Sequence, residues 1–196
     1  MTLGREDRAP PVLIDLRERQ KGRHRLFFAL YPDARAAQQA RRLGEDLRKR
    51  HGLKGKPFLV ERLHVTLLFL NDFVDEPAEM IAAAGEAVAA IKAKPFEVAF
   101  DHVLSFSRPN NRPLVLCSSE GLPELGVFRH TLGRALQKRF VMPLPAYTPH
   151  MTLLYDDRRV DKQAVEPVRW MAREFTLVMS LLGQSRHVPL AHWTLN

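Results

Sequence analysis

The chain has 196 residues, 45% hydrophobic and 27% charged, with a net charge of +8 and one cysteine. No apolar run approaches the ~20 residues of a membrane-spanning helix, the N-terminal residues lack a secretory signal, and Cys117, alone in the run PLVLCSS, excludes an internal disulfide and metal ligation by paired thiolates. A cytoplasmic monomer without metal or cofactor is expected, its positive charge favouring a polyanionic partner such as nucleic acid.

Residues 1–21 mix charge with a Pro-Pro pair and show no sustained period, which predicts a flexible or loosely docked basic tail ahead of one domain over residues 22–196. RLFFALYP, residues 25–32, reads as a strand ended by Pro32, and Asp33 as the N-cap of a basic amphipathic helix reaching about Arg50. The strand LHVTLLFL follows, then an alanine-rich helix opened by Pro77. Residues 95–108 and the run PLVLCSS predict a hairpin turning at PNNRP. Pro123 opens a helix with Leu125, Phe128, Leu132 and Leu136 at helical spacing. A proline-rich connection leads to the strand PHMTLLYD, and a basic linker, the strand EFTLVMSLLGQ and a final strand HVPLAHWTLN complete the chain.

Two of these strands carry the same pattern: His64-Val65-Thr66-Leu67-Leu68-Phe69 and His150-Met151-Thr152-Leu153-Leu154-Tyr155, nearly half the chain apart. In a strand, residues i and i+2 share a face, so each histidine stands beside its threonine while Val65 and Met151 face the other way. If the two histidine faces meet, a neutral imidazole can take a proton from water while a protonated one gives a proton to a leaving oxygen. The threonine hydroxyls would then hold the non-bridging oxygens of a phosphate between the rings. A third copy, His192-Trp193-Thr194-Leu195, lacks the following Leu-aromatic pair and reads as a terminal strand anchored by Trp193. His187 could line the cleft, and the remaining histidines have no threonine two places on. The sequence contains no Gly-x-Ser-x-Gly elbow, Walker loop or dinucleotide fingerprint.

The opening RLFFAL before Pro32, the paired motifs in this order, and the closing strand with Trp193 resemble the 2H phosphoesterase superfamily. Within it they are similar to the 2′-5′ RNA ligase-like group of RNA 2′,3′-cyclic phosphodiesterases, over residues 23–196. The resemblance implies an α+β fold that is bilobal, with two pseudo-symmetric lobes, each an antiparallel sheet flanked by helices, and a site in the cleft between them. It implies His64 as general acid, His150 as general base, and Thr66 and Thr152 as phosphate holders. The substrates would be RNA ends or small nucleotide cyclic phosphates, opened to 2′-phosphates, with 2′-5′ ligation as the reverse reaction.

One departure stands out. Many bacterial members have an arginine where this chain has Tyr155, so the phosphate-neutralising cation must come from elsewhere: Arg25, Arg108, Arg158 or Arg186. The resemblance also implies an aromatic on the opening strand that stacks a base, here Phe28 or its neighbour Phe27. Two other readings stay open: an RNA-binding module on the same fold with little turnover, and a phosphodiesterase for another cyclic or 2′-5′ nucleotide.

Overall fold

The structure is a computed structural model and describes residues 13–17 and 22–196. β1 (Ile14–Asp15) precedes β2 (His24–Leu30), α1 (Ala34–Arg50), a single 3-10 turn at Val60–Arg62, β3 (Val65–Phe73) and α2 (Ala78–Val88). The second half contains β4 (Phe96–Ser105), β5 (Arg112–Cys117), α3 (Pro123–Leu136), β6 (Phe140–Val141) and β7 (His150–Asp156). It closes with β8 (Gln163–Ala172), β9 (Glu174–Leu181) and β10 (Arg186–Thr194).

Local chemistry explains the helices. The Asp33 carboxylate accepts from the Ala36 N–H at 2.8 Å and caps α1, whose last turn carries Arg48, Lys49 and Arg50 against the negative end of its dipole. Pro123 opens α3, where its missing N–H costs nothing, and Leu125, Phe128, Leu132 and Leu136 form its buried stripe.

All neighbouring strands of the main sheet are antiparallel, in the order β10-β9-β2-β3-β7-β5-β4-β8. The halves β10-β9-β2-β3 and β7-β5-β4-β8 meet at one residue pair, Val65 opposite Met151. The expected pair of separate sheets is thus one eight-stranded sheet, continuous through a narrow join. The expected basic linker contains β8, which pairs with β4 from Phe96 opposite Ala172 onward. As the edge strand, β8 tolerates Pro167 because no neighbour needs its missing N–H.

The principal core includes Leu26, Phe28 and Leu30 of β2, Val65 and Leu67 of β3, and the buried stripes of the helices. The opposite face of β2 carries a smaller cluster of Phe27, Ala29 and Val178, with Tyr31 packed against it. Of the segment expected as a tail, Ile14–Asp15 pairs in parallel with β6 and Leu16 is buried; residues 1–12 and 18–21 lie outside the described residues. Among the described residues, no helix is long and apolar enough to cross a membrane.

Candidate active site

The join between the halves brings the two motifs together. With Val65 opposite Met151, antiparallel register sets His64 opposite Thr152 and Thr66 opposite His150, all four on the face away from the buried Val65 and Met151. The two histidines and two threonines thus form a quartet with approximate two-fold symmetry. His64 is the residue just before β3, and His150 opens β7.

Both rings are anchored in the same way. Nδ1 of His64 lies 2.7 Å from the Arg62 carbonyl and Nδ1 of His150 lies 2.9 Å from the Thr148 carbonyl, in each case two residues back. A carbonyl only accepts, so each Nδ1 carries the hydrogen and each Nε2 presents a lone pair. Nε2 of His64 meets the Thr66 hydroxyl at 3.2 Å. Burial holds the His64 imidazole down to about 4, against the pull of the Arg62 carbonyl and aided by the charges of His150 and Arg62. Burial lowers His150 also, opposed by its bond to Thr148.

A β-bulge follows each threonine. Ala29 pairs with Thr66 and Phe28 with Leu68, leaving Leu67 extra; Val115 pairs with Thr152 and Leu114 with Leu154, leaving Leu153 extra. The extra residue shifts the alternation by one, returning the residue five after each histidine, Phe69 or Tyr155, to the site face. The Arg25 guanidinium lies over the Phe69 ring at 5.5 Å.

Strand parity corrects one expectation. Phe28 is fully buried in the principal core, with Phe175 at 6.1 Å and Trp193 at 5.9 Å, and does not reach the site. Phe27, on the opposite face, places its ring 5.2 Å from that of His64. Arg25 shares the face of Phe27, but its guanidinium grips Asp72 through two bonds of 2.8 Å. Tyr155 is half-buried beside Phe58, at 5.8 Å. Of the other cation candidates, Arg158 donates to the His51 carbonyl, while Arg108 and Arg186 are exposed.

A profile of the 2′-5′ RNA ligase superfamily matches residues 31–183. The chain belongs to this superfamily. LigT of E. coli complexed with 3′-AMP is 25% identical, with 89% of this chain and 99% of that one covered and a TM-score of 0.68. LigT in apo form is 26% identical, covering 90% of this chain and 99% of that one with a TM-score of 0.67. TT0787 of Thermus thermophilus, at 20% identity, 87% and 97% coverage and a TM-score of 0.68, shares the fold. Comparison with the curated proteins returns no match. The resemblance to 2H phosphoesterases therefore holds, and membership supports activity of the phosphodiesterase type.

This superfamily member surrounds its quartet with residues that the motifs alone do not identify. His187, on β10, lies 4.9 Å from the His64 ring and 5.6 Å from Phe27, with burial lowering it to about 3. Its only signal in the sequence was its place at the start of the last strand. Phe106, beyond β4, stands edge-on to His150 at 4.8 Å, while Phe27 lies tilted against His64 at 5.2 Å. Arg62 is the cation nearest in sequence to His64, and its charge acts on His64, His187 and Tyr31. Tyr31 Oη, Arg62 Nε and His187 Nδ1 are buried without a hydrogen-bond partner, so polar capacity converges around His64. The third copy of the pattern is elsewhere: His192 is exposed and Trp193 stacks on Phe175 at 5.2 Å. Among the described residues, no three His, Cys, Asp or Glu side chains converge where they could hold a metal ion.

Proposed function

We propose that the protein is an RNA 2′,3′-cyclic phosphodiesterase, acting as a cytoplasmic monomer, that opens a terminal cyclic phosphate to a 2′-phosphate by two-histidine acid-base catalysis. The observation that carries this reading is the register of Val65 against Met151, which sets each motif histidine across from the other motif's threonine. Nε2 of His150 takes a proton from water as its oxygen bonds to phosphorus. The P–O3′ bond breaks, and the His64 imidazolium protonates the departing oxygen. Thr66 and Thr152 donate to the non-bridging oxygens.

Burial lowers both rings, and an imidazolium of lowered pKa at His64 gives up its proton more readily. A bound phosphate anion would favour its protonation. Arg62 then supplies the charge that Tyr155 lacks, and its unpartnered Nε is a donor suited to a phosphate oxygen. Phe27 and Phe106 flank the histidines as aromatic surfaces for the ends of a nucleotide. LigT, crystallised with 3′-AMP, offers a parallel for a nucleotide ligand.

The test incubates the protein, in excess EDTA, with an RNA ending in a 2′,3′-cyclic phosphate. Wild type should yield the 2′-phosphate, and His64→Ala and His150→Ala should each lower turnover about 10²–10⁴-fold. Full activity in either variant would sink the mechanism. RNA bound but left unopened by wild type would favour a binding module or another cyclic or 2′-5′ substrate.

A further inference from the structure

A basic groove has Arg62, two residues before His64, in its lining. It encloses about 670 Å³ between α1 and residues 56–62, and Arg62 and Phe58 form its inner end. The Arg62 guanidinium lies over the Phe58 ring at 4.4 Å, and Phe58 in turn meets Tyr155 on the second motif strand, so a chain of side-chain contacts links the groove to that strand. Arg48, Lys49 and Lys56 line its outer reach.

One further arginine builds the wall. Arg41 Nε donates to Glu45 at 2.7 Å, and its terminal nitrogen donates to the carbonyls of Pro57 at 2.9 Å and Phe58 at 2.8 Å, pinning the loop against α1. That ion pair occupies Glu45, the one acidic residue among the described residues lining the groove. Among the described residues Arg48, Lys49, Lys56 and Arg62 form no ion pair, so four cations face one channel with their charge uncompensated. Such a concentration of one sign raises the local density of a polyanion. A nucleoside cyclic phosphate, with its single charge at the quartet, would leave the outer three cations without a role.

We propose that this groove carries the phosphodiester backbone of a single-stranded RNA whose terminal cyclic phosphate lies between His64 and His150, an inference that rests on the function proposed above. The chain enters past Lys56 and the end of α1 and reaches the quartet at Arg62. The enzyme therefore favours RNA ends over nucleoside 2′,3′-cyclic phosphates through KM, while the chemical step is common to both.

The experiment compares wild type with the exposed triple variant Arg48→Gln/Lys49→Gln/Lys56→Gln. Binding of an RNA of about 8 nucleotides ending in a 3′-phosphate is followed by fluorescence anisotropy across a salt series. Removing three phosphate contacts should flatten the slope of log K against log salt by about 2 and weaken low-salt binding at least ~10-fold. Circular dichroism and turnover of a nucleoside 2′,3′-cyclic phosphate should be unchanged. Equal slopes and affinities in the two proteins would overturn the groove even if hydrolysis is seen, and so would equal loss on the nucleoside substrate. If wild type hydrolyses neither substrate, the catalytic reading fails, while the binding slopes still decide whether RNA follows this channel.

Discussion

The phenol of Tyr147 donates to the carbonyl of Thr66 at 2.7 Å, across 81 residues of sequence. β3 and β7 pair only at Val65 and Met151, so beyond that point the outer edge of β3 needs other partners. Tyr147 serves Thr66, and Arg129 Nε, on α3, serves the Leu67 carbonyl at 3.0 Å, so the first motif's bulge is held by α3 together with the connection leading to the second motif. Tyr147→Phe keeps the ring that lies 4.4 Å beneath Arg129 and removes only the bond. It should cost about 1–2 kcal/mol in urea denaturation, with a several-fold fall in kcat/KM as Thr66 loosens. Unchanged stability and activity would mean that water replaces the phenol at no cost.

The pH profile follows from the depressed histidines. Burial lowers His64 from 6.5 to about 4 and lowers His150 as well, and the reaction needs one ring protonated and one neutral. The optimum of kcat/KM, which reports the free enzyme, should therefore lie below pH 6.5. The optimum of kcat should lie higher, because bound phosphate favours the imidazolium. Coincident optima above pH 7.5 would contradict the buried, mutually repelling pair.

Stability carries the same sign. His64, His150 and His187 are half-buried and held neutral, so the unfolded chain binds more protons as pH falls below 6.5, and stability should decline from there through the lowered values of about 4 for His64 and about 3 for His187. His187→Ala should open the wall of His64 to water and move the kcat/KM optimum toward higher pH. A profile unmoved by this change would show that His187 does not help to desolvate His64.

Phe27 and Phe28 separate core from site. Phe28→Ala should cost about 3–5 kcal/mol, the usual effect of hollowing a core around an aromatic ring. Phe27→Leu keeps an apolar filler in the small cluster and should cost less stability. It should lower kcat/KM more than Phe28→Leu does, because the ring beside His64 is lost. The comparison uses thermal melts and single-substrate kinetics on the same preparations, and the reverse ranking in activity would return base stacking to Phe28.

Asp156 anchors the loop that leads into residues 56–62. Its carboxylate accepts from the backbone N–H groups of Lys54 at 2.5 Å, Gly55 at 2.7 Å and Arg158 at 2.8 Å. Burial works to raise its pKa, and these three bonds outweigh it and hold the group below the usual carboxylate range. Gly55 is required there, since a side chain would strike the Tyr155 carbonyl. Asp156→Asn should cost about 1.5–3 kcal/mol near neutral pH. The difference should shrink in acid, as wild type loses the charge when pH falls through the depressed value. A constant gap from pH 7 to pH 3 would exclude the charge as the source.

Consecutive residues dictate whatever depends on near neighbours. Asp33 caps α1 because the N-cap rule acts over three residues, and His64 stands beside Thr66, as His150 stands beside Thr152, because alternation acts over two. The same parity groups Arg25 with Phe27 and Leu26 with Phe28. Which group faces the quartet depends on the packing of helices onto one side of the sheet, and that packing sends Phe28 into the core. The bulges at Leu67 and Leu153 are defined by a partner strand, and no local pattern announces them, although they return Phe69 and Tyr155 to the site face. β8 was obscured because an edge strand can carry proline and charge among its apolar residues. His187 meets His64 only through the folding of the sheet, since more than half the chain separates them. Short-range sterics are written in neighbouring residues; the meeting of distant strands is set by burial of the whole apolar surface, and that burial chose what surrounds the two histidines.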